Sequence, residues 1–205
     1  MAQRRHHYEH AFEELLRTRR IPYVAVDEAR KALVPHQPHG GPPQWQPPKS
    51  GDVAASPPSL KSFDFVLYGE GVNLLAEVKG RRIGRARAAS TTTPTRPVRR
   101  RPRLESWVTL EDVRSLQAWE QLFGPEFQAA FLFVYWCDEQ PPDGLFQEVF
   151  EHRGRWYAVR AVTVDHYAKV MKVRSPSWGT VDITPSVFEQ ISQPFVAPLR
   201  PASVG

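Results

Sequence analysis

Ser62-Phe63-Asp64-Phe65-Val66-Leu67-Tyr68-Gly69-Glu70-Gly71-Val72-Asn73-Leu74-Leu75-Ala76-Glu77-Val78-Lys79 is the stretch from which the fold is read. Two apolar runs, Phe63 to Tyr68 and Val72 to Val78, flank Gly69-Glu70-Gly71, which supplies a turn, so the pair is predicted to be a β-hairpin. Glu77 and Lys79 stand at i and i+2 and point to one face of their strand, while Val78 points to the other, toward a core. With a four-residue loop over 69–72, Tyr68 pairs with Asn73 and Asp64 lies opposite Glu77. With a three-residue loop, Asp64 lies opposite Ala76. Directly opposed residues have Cβ atoms about 4.5–5.5 Å apart. Carboxylates that close repel each other unless a cation lies between them, and Mg²⁺ or Mn²⁺ suits oxygen ligands of this kind. Such an ion can polarise a phosphate and acidify a bound water, and Lys79 could stabilise the charge that develops. These are the parts of a phosphodiesterase. Glu-x-Lys is also common on solvated sheet faces, and by itself says little.

Working outward, residues 6–20 read as a helix, with Tyr8, Ala11, Phe12, Leu15 and Leu16 at helical spacing. Glu9 and Glu13 share a face of it, four residues apart. His6, His7 and His10 are read as solvated rather than as metal ligands. Ile21 to Val26 reads as a strand, and 34–60 as a Pro-rich loop or linker. After Lys79, residues 81–103 hold nine arginines and no acid; the rest of the chain has 18 basic and 22 acidic residues. The positive charge is therefore local, as contact with a polyanion requires, although a solvated arginine run has the same composition. Thr109-Leu110-Glu111-Asp112 opens a helix with a capping box, which Gly124-Pro125 ends. Ala129 to Trp136 is a buried strand. Residues 144–160 form a hairpin turning at Arg153-Gly154-Arg155, and Thr163 to Lys172 a short helix. Signals weaken after Ser175, and the chain from Gln193 reads as a flexible tail. The order implies an α/β fold, a mixed sheet flanked by helices.

Cys137 is the single cysteine, which excludes an internal disulfide framework and a multi-cysteine zinc site. With no apolar run long enough to span a bilayer and no signal-like N-terminus, the expectation is a soluble cytoplasmic protein without a membrane partner.

These residues resemble the PD-(D/E)XK nuclease superfamily, and within it the archaeal-type Holliday-junction resolvases. Tyr8-Glu9-His10-Ala11-Phe12-Glu13-Glu14-Leu15-Leu16 stands where the family has a glutamate-bearing helix. Asp64 stands at its aspartate, and Glu77-Val78-Lys79 at its Glu-x-Lys. Glu111 to Gly124 and Ala129 to Trp136 stand at the following helix and strand. His7 to Glu13 also resembles the signature of a bacterial family named for the letters HYExAFE. Phe63 departs from the superfamily's proline, and the segments 34–60 and 81–103 exceed those of a minimal resolvase. The resemblance implies a restriction-endonuclease-like core over 6–136, followed by an α+β extension over 137–192 and a tail over 193–205. It implies a Mg²⁺- or Mn²⁺-dependent nuclease acting on DNA, branched DNA included, in repair or recombination. Its catalytic set would be Glu9, Asp64, Glu77 and Lys79, with the three acids as metal ligands, and it suggests a homodimer. Lys61, Arg81, Arg82, Arg85 and Arg87 are the candidate phosphate contacts. Glu13 and Gln117 are weaker site candidates. Trp178 reads first as a packing residue and second as a platform for a base. The rival expectations are a nuclease fold that binds nucleic acid without cutting it, and a module that binds proteins through its Pro- and Arg-rich segments.

Overall fold

The computed structural model describes residues 6–33, 60–83, 104–137 and 149–195. The linker over 34–59, most of the arginine-rich segment with Arg85 and Arg87, and the chain beyond Phe195 lie outside the described residues.

A mixed sheet runs in the order β1 (Tyr23–Ala25), β2 (Phe65–Leu67), β3 (Asn73–Ile83), β5 (Phe127–Cys137), β7 (Arg155–Thr163), β10 (Gln193–Pro194), with β6 (Val149–His152) also paired to β7. β3 and β5 are parallel over their full eleven residues. A parallel pair needs a crossover, and α3 (Leu110–Phe123) makes it. β5 reads Phe-Gln-Ala-Ala-Phe-Leu-Phe-Val-Tyr-Trp-Cys because helices cover both its faces. Ala130, Leu132 and Val134 face α1 (His6–Thr18), where Ala11, Phe12, Leu15 and Leu16 are buried. Phe131, Phe133 and Tyr135 face the other way, packing with Val113 and Leu116 of α3, Tyr167 of α4 (Val164–Val170) and Phe188 of α5 (Pro185–Ile191). Truncating a fully buried ring such as Phe133 to alanine would cost about 3–5 kcal/mol.

A second, three-stranded sheet, β4 (Val108–Thr109), β9 (Thr180–Asp182) and β8 (Lys172–Ser175), covers the start of α3. The capping box forms as expected: Thr109 accepts from the Asp112 backbone N–H, and the Asp112 carboxylate accepts from that of Thr109.

The hairpin forms in the longer-loop register. Phe65 pairs with Ala76 and Leu67 with Leu74, so Tyr68 faces Asn73 and Asp64 faces Glu77. Gly71, at φ +97°, takes the left-handed conformation the loop needs.

Three expectations need correction. The strand expected through Val26 stops at Ala25, and α2 (Val26–Leu33) starts there; the Val26 N–H donates to the Asp64 carbonyl. β3 runs past Lys79 to Ile83, so Arg81 and Arg82 belong to the sheet. The tail expected from Gln193 begins instead with β10, paired to β7, and Phe195 is buried against Phe12. β7, β6 and β10 complete the sheet begun by β1, β2, β3 and β5, so the main sheet crosses the boundary expected at residue 137.

Candidate functional site

Asp64 sits where the β2–β3 ladder ends. Its own N–H donates to Ala76 O at 3.0 Å, and its carbonyl accepts from Val26 at 2.9 Å. The Val78 N–H, left without a strand partner on this side, donates to Asp64 Oδ2 at 2.7 Å. Three backbone bonds thus fix the residue and aim one carboxylate oxygen. Glu77, across the ladder, is buried. Its Oε1 accepts from Lys79 Nζ at 2.8 Å, and Lys79 Nζ is also 2.7 Å from Asp112 Oδ2. Lys61 completes the cluster, bonded through Nζ to Asp112 Oδ1 and standing 3.6 Å from Glu77 Oε1. α3 places Lys61: its backbone N–H donates to Ser115 Oγ, and its carbonyl accepts from the Trp119 indole at 2.8 Å.

Charge decides what this cluster can do. Lys61 and Lys79 are matched by Glu77 and Asp112. Asp64 is left over. Burial first, then the negative charges of Glu77 and Glu9, push its carboxyl up to about 8, against the Val78 hydrogen bond and the charge of Lys79. Asp112 goes the other way. Burial would raise it, but the charge of Lys79 and hydrogen bonds from Lys61, Lys79 and the Thr109 backbone bring it down to about 2. Burial beside other acids therefore favours the protonated form of Asp64. That is a place short of positive charge, which a cation would fill by displacing the proton. Among the described residues, no three His, Cys, Asp or Glu side chains are grouped closely enough to hold an ion by themselves. Asp64 and Glu77 offer two carboxylates, a donor number that Mg²⁺ accepts when water and substrate oxygens complete its shell.

Glu9 comes from α1 close enough for its charge to act on Asp64. The helix is seated there by Tyr8, whose ring lies over Gly80; a Cβ at that position would overlap the ring. Gly80 is the one residue type that lets α1 approach the strand so closely.

The other expected site residues are scattered. Glu13 is taken up by Arg17 at 2.7 Å and the Tyr23 hydroxyl at 2.7 Å. Gln117 lines a cleft of about 700 Å³ with Glu120, Gln121 and Phe127, and the carboxylate cluster is not part of its lining. Arg81 turns inward. Its guanidinium stacks 4.0 Å from the Trp107 ring and donates to the carbonyls of Gly80 and Trp107, and its Nε is buried without a hydrogen-bond partner among the described residues. Burial lowers its pKa from the usual value. Arg82, one residue on, projects to the opposite face and lies exposed over Trp136. His7 and His10 point to different partners: His7 Nδ1 lies 3.1 Å from the Tyr157 hydroxyl, and His10 lies beside Glu13, while the His6 side chain lies outside the described residues. Asp112 was absent from the expected site. Its capping signal was plain, but its bond to Lys79 depends on how α3 packs on β3.

No protein-family model matches the chain, and no curated protein matches it. The chain is similar to the solved structure of Hjc, a Holliday junction resolvase from the archaeal hyperthermophile Archaeoglobus fulgidus, with a TM-score of 0.37 and 14% identity over 67% of this chain and 73% of that one. A superposition that loose says nothing about what this chain acts on. No helix among the described residues is long and apolar enough to cross a membrane.

Proposed function

We propose that this chain is a divalent-metal-dependent nuclease that hydrolyses phosphodiester bonds in DNA, branched DNA being the first substrate class to test. The observation that carries the reading is Asp64 held by three backbone hydrogen bonds opposite Glu77, with the Lys79 ammonium on the same face. Asp64 and Glu77 would hold the ion, with Glu9 adding charge from α1. A bound Mg²⁺ or Mn²⁺ would polarise the scissile phosphate and acidify a coordinated water. Lys79, anchored between Glu77 and Asp112, keeps its ammonium where charge develops on phosphate, without reorganisation during the reaction. Asp112 is a positioning residue that acts through Lys79. Lys61 sits half-exposed at the rim, able to exchange its carboxylate partners for a phosphate.

The test is cleavage of four-way junction, flap and linear DNA by the purified chain with Mg²⁺ or Mn²⁺. Asp64→Asn, Glu77→Gln and Lys79→Met should each abolish it. Cleavage that survives in the first two would remove the mechanism. A second reading, a nuclease fold that binds nucleic acid without cutting it, draws on one observation: Lys61 and Lys79 pair with Glu77 and Asp112 and by themselves offset those two charges. Metal-independent DNA binding with no cleavage would select it.

A further inference from the structure

The hairpin formed by β8 and β9 carries a combination the proposed reaction does not use. Trp178, in its turn, is 81% exposed and Val173 68% exposed. Lys172 and Arg174 are exposed on β8, and Lys169 is exposed at the end of α4. Residues 166–181 contain no aspartate or glutamate. Trp178 and Val173 together leave an aromatic and an aliphatic side chain in water, and the exposed charged residues of β8 beside them are basic, with Asp182 facing Lys172 across the ladder.

The hairpin is also tied to the site. Thr180 pairs with Thr109, the cap of α3, and the Leu110 N–H donates to Gly179 O at 2.8 Å. Leu110 is two residues from Asp112, which bonds to Lys79. One hydrogen bond and two residues of helix therefore separate the Trp178 turn from the anchor of the proposed catalytic ammonium. Arg174 lies 5.3 Å from the Trp107 ring, over which the half-buried Arg81 also stacks, so this ring stands between β8 and β3.

We propose that the β8–β9 hairpin is a base-stacking finger: Trp178 takes the face of one unpaired base, and Lys172 and Arg174 take the flanking phosphates. The inference rests on the nuclease reading and names its substrate class, a nucleic acid with unpaired bases next to the cut. A π-face recognises any base, so the contact selects strand state and not sequence. A fully stacked duplex offers no free base face to an indole.

The experiment measures binding of the full chain, in chelator, to three labelled DNAs: a single strand, a flapped duplex and a blunt duplex. Trp178→Ala should weaken single-strand and flap binding by about tenfold, as the loss of one stacked base entails, and leave blunt-duplex binding within about twofold. Trp178→Phe should restore most of the loss. The Lys172→Ala/Arg174→Ala double variant should reduce the salt dependence of single-strand binding by about 1.4 in the log–log slope, two phosphates' worth. Because Trp178 is exposed, thermal unfolding should be unchanged in its variants. Equal affinity of wild type and Trp178→Ala for all three DNAs overturns the proposal, as does equal loss on all three. Sedimentation showing that Trp178→Ala instead splits a dimer or higher assembly overturns it too, and assigns the indole to a protein contact. If wild type shows the strand-state preference but cuts nothing with Mg²⁺ or Mn²⁺, the finger stands and the nuclease reading falls. If it cuts and Trp178→Ala binds like wild type, the reverse holds. A wild type that binds none of the DNAs removes both.

Discussion

Asp64→Asn separates charge from shape at the centre of the site. The amide keeps an oxygen to accept from the Val78 N–H and occupies the same volume, but carries no proton to lose. In the wild type, burial and the charges of Glu77 and Glu9 raise the native carboxyl from 3.8 to about 8. The native state therefore holds a proton between about pH 4 and pH 8 that the unfolded chain has released. Stability is highest at the acid end of that window and falls as pH rises through it, with a slope of up to about 1.4 kcal/mol per pH unit. Integrated over the whole shift, the ceiling is about 6 kcal/mol, reached above pH 8, and relaxation around the ionised group reduces it. Asp64→Asn removes this dependence, so the variant should gain on the wild type steadily from pH 5 to pH 8. The assay is urea denaturation in chelator across that range. Adding Mn²⁺ should then stabilise the wild type more at pH 8 than at pH 6, because the ion displaces the Asp64 proton, and should do little for the variant. Two stability curves that run parallel with pH would refute the assignment of Asp64 as the buried, unmatched acid. A metal effect of equal size in the variant would refute its role as a ligand.

Asp112→Ala leaves Lys79 and Lys61 facing Glu77 alone and also removes the α3 capping box; denaturation should show a loss of about 3–5 kcal/mol. In Asp112→Asn, which retains a cap, cleavage should fall while DNA affinity holds, since Asp112 acts by placing Lys79. Gly80→Ala should push Tyr8 off β3, costing about 1–3 kcal/mol in stability and, by moving Glu9, lowering activity beyond that loss; a variant with full stability and activity would contradict the packing. Arg81→Ala and Arg82→Ala should differ in kind. The first loses the link between β3 and the Trp107 carbonyl and should lower thermal stability. The second should leave stability intact and reduce the salt slope of duplex binding by about 1.

What could be read from the sequence was what depends on neighbours along the chain. Alternation and the Gly69-Glu70-Gly71 turn fixed the hairpin, and with it the pairing of Asp64 and Glu77, to within one choice of loop length. The capping box at Thr109 and the unbroken apolar run of β5 were equally local. The misreadings share a different cause. Val26 completes an apolar run and so reads as strand, yet a helix starts there because a carbonyl distant in sequence, that of Asp64, takes its N–H. Phe195 stands among prolines and reads as loose, yet β10 finds an edge of β7 that β6 leaves open. Arg81 opens an arginine run and reads as a phosphate contact, yet strand parity puts it on the face of Glu77 and Lys79, where Trp107 covers it. Asp112 shows the limit most directly. One carboxylate oxygen caps its own helix, a role written in four consecutive residues, and the same side chain orients Lys79 from another element. The first role stabilises α3 whatever the protein does. The second exists only once α3 lies across β3, so the capping signature both marks Asp112 and conceals its other role. Comparing Asp112→Asn with Lys79→Met is therefore informative: if Asp112 matters only as a cap, the two variants will share no defect in cleavage.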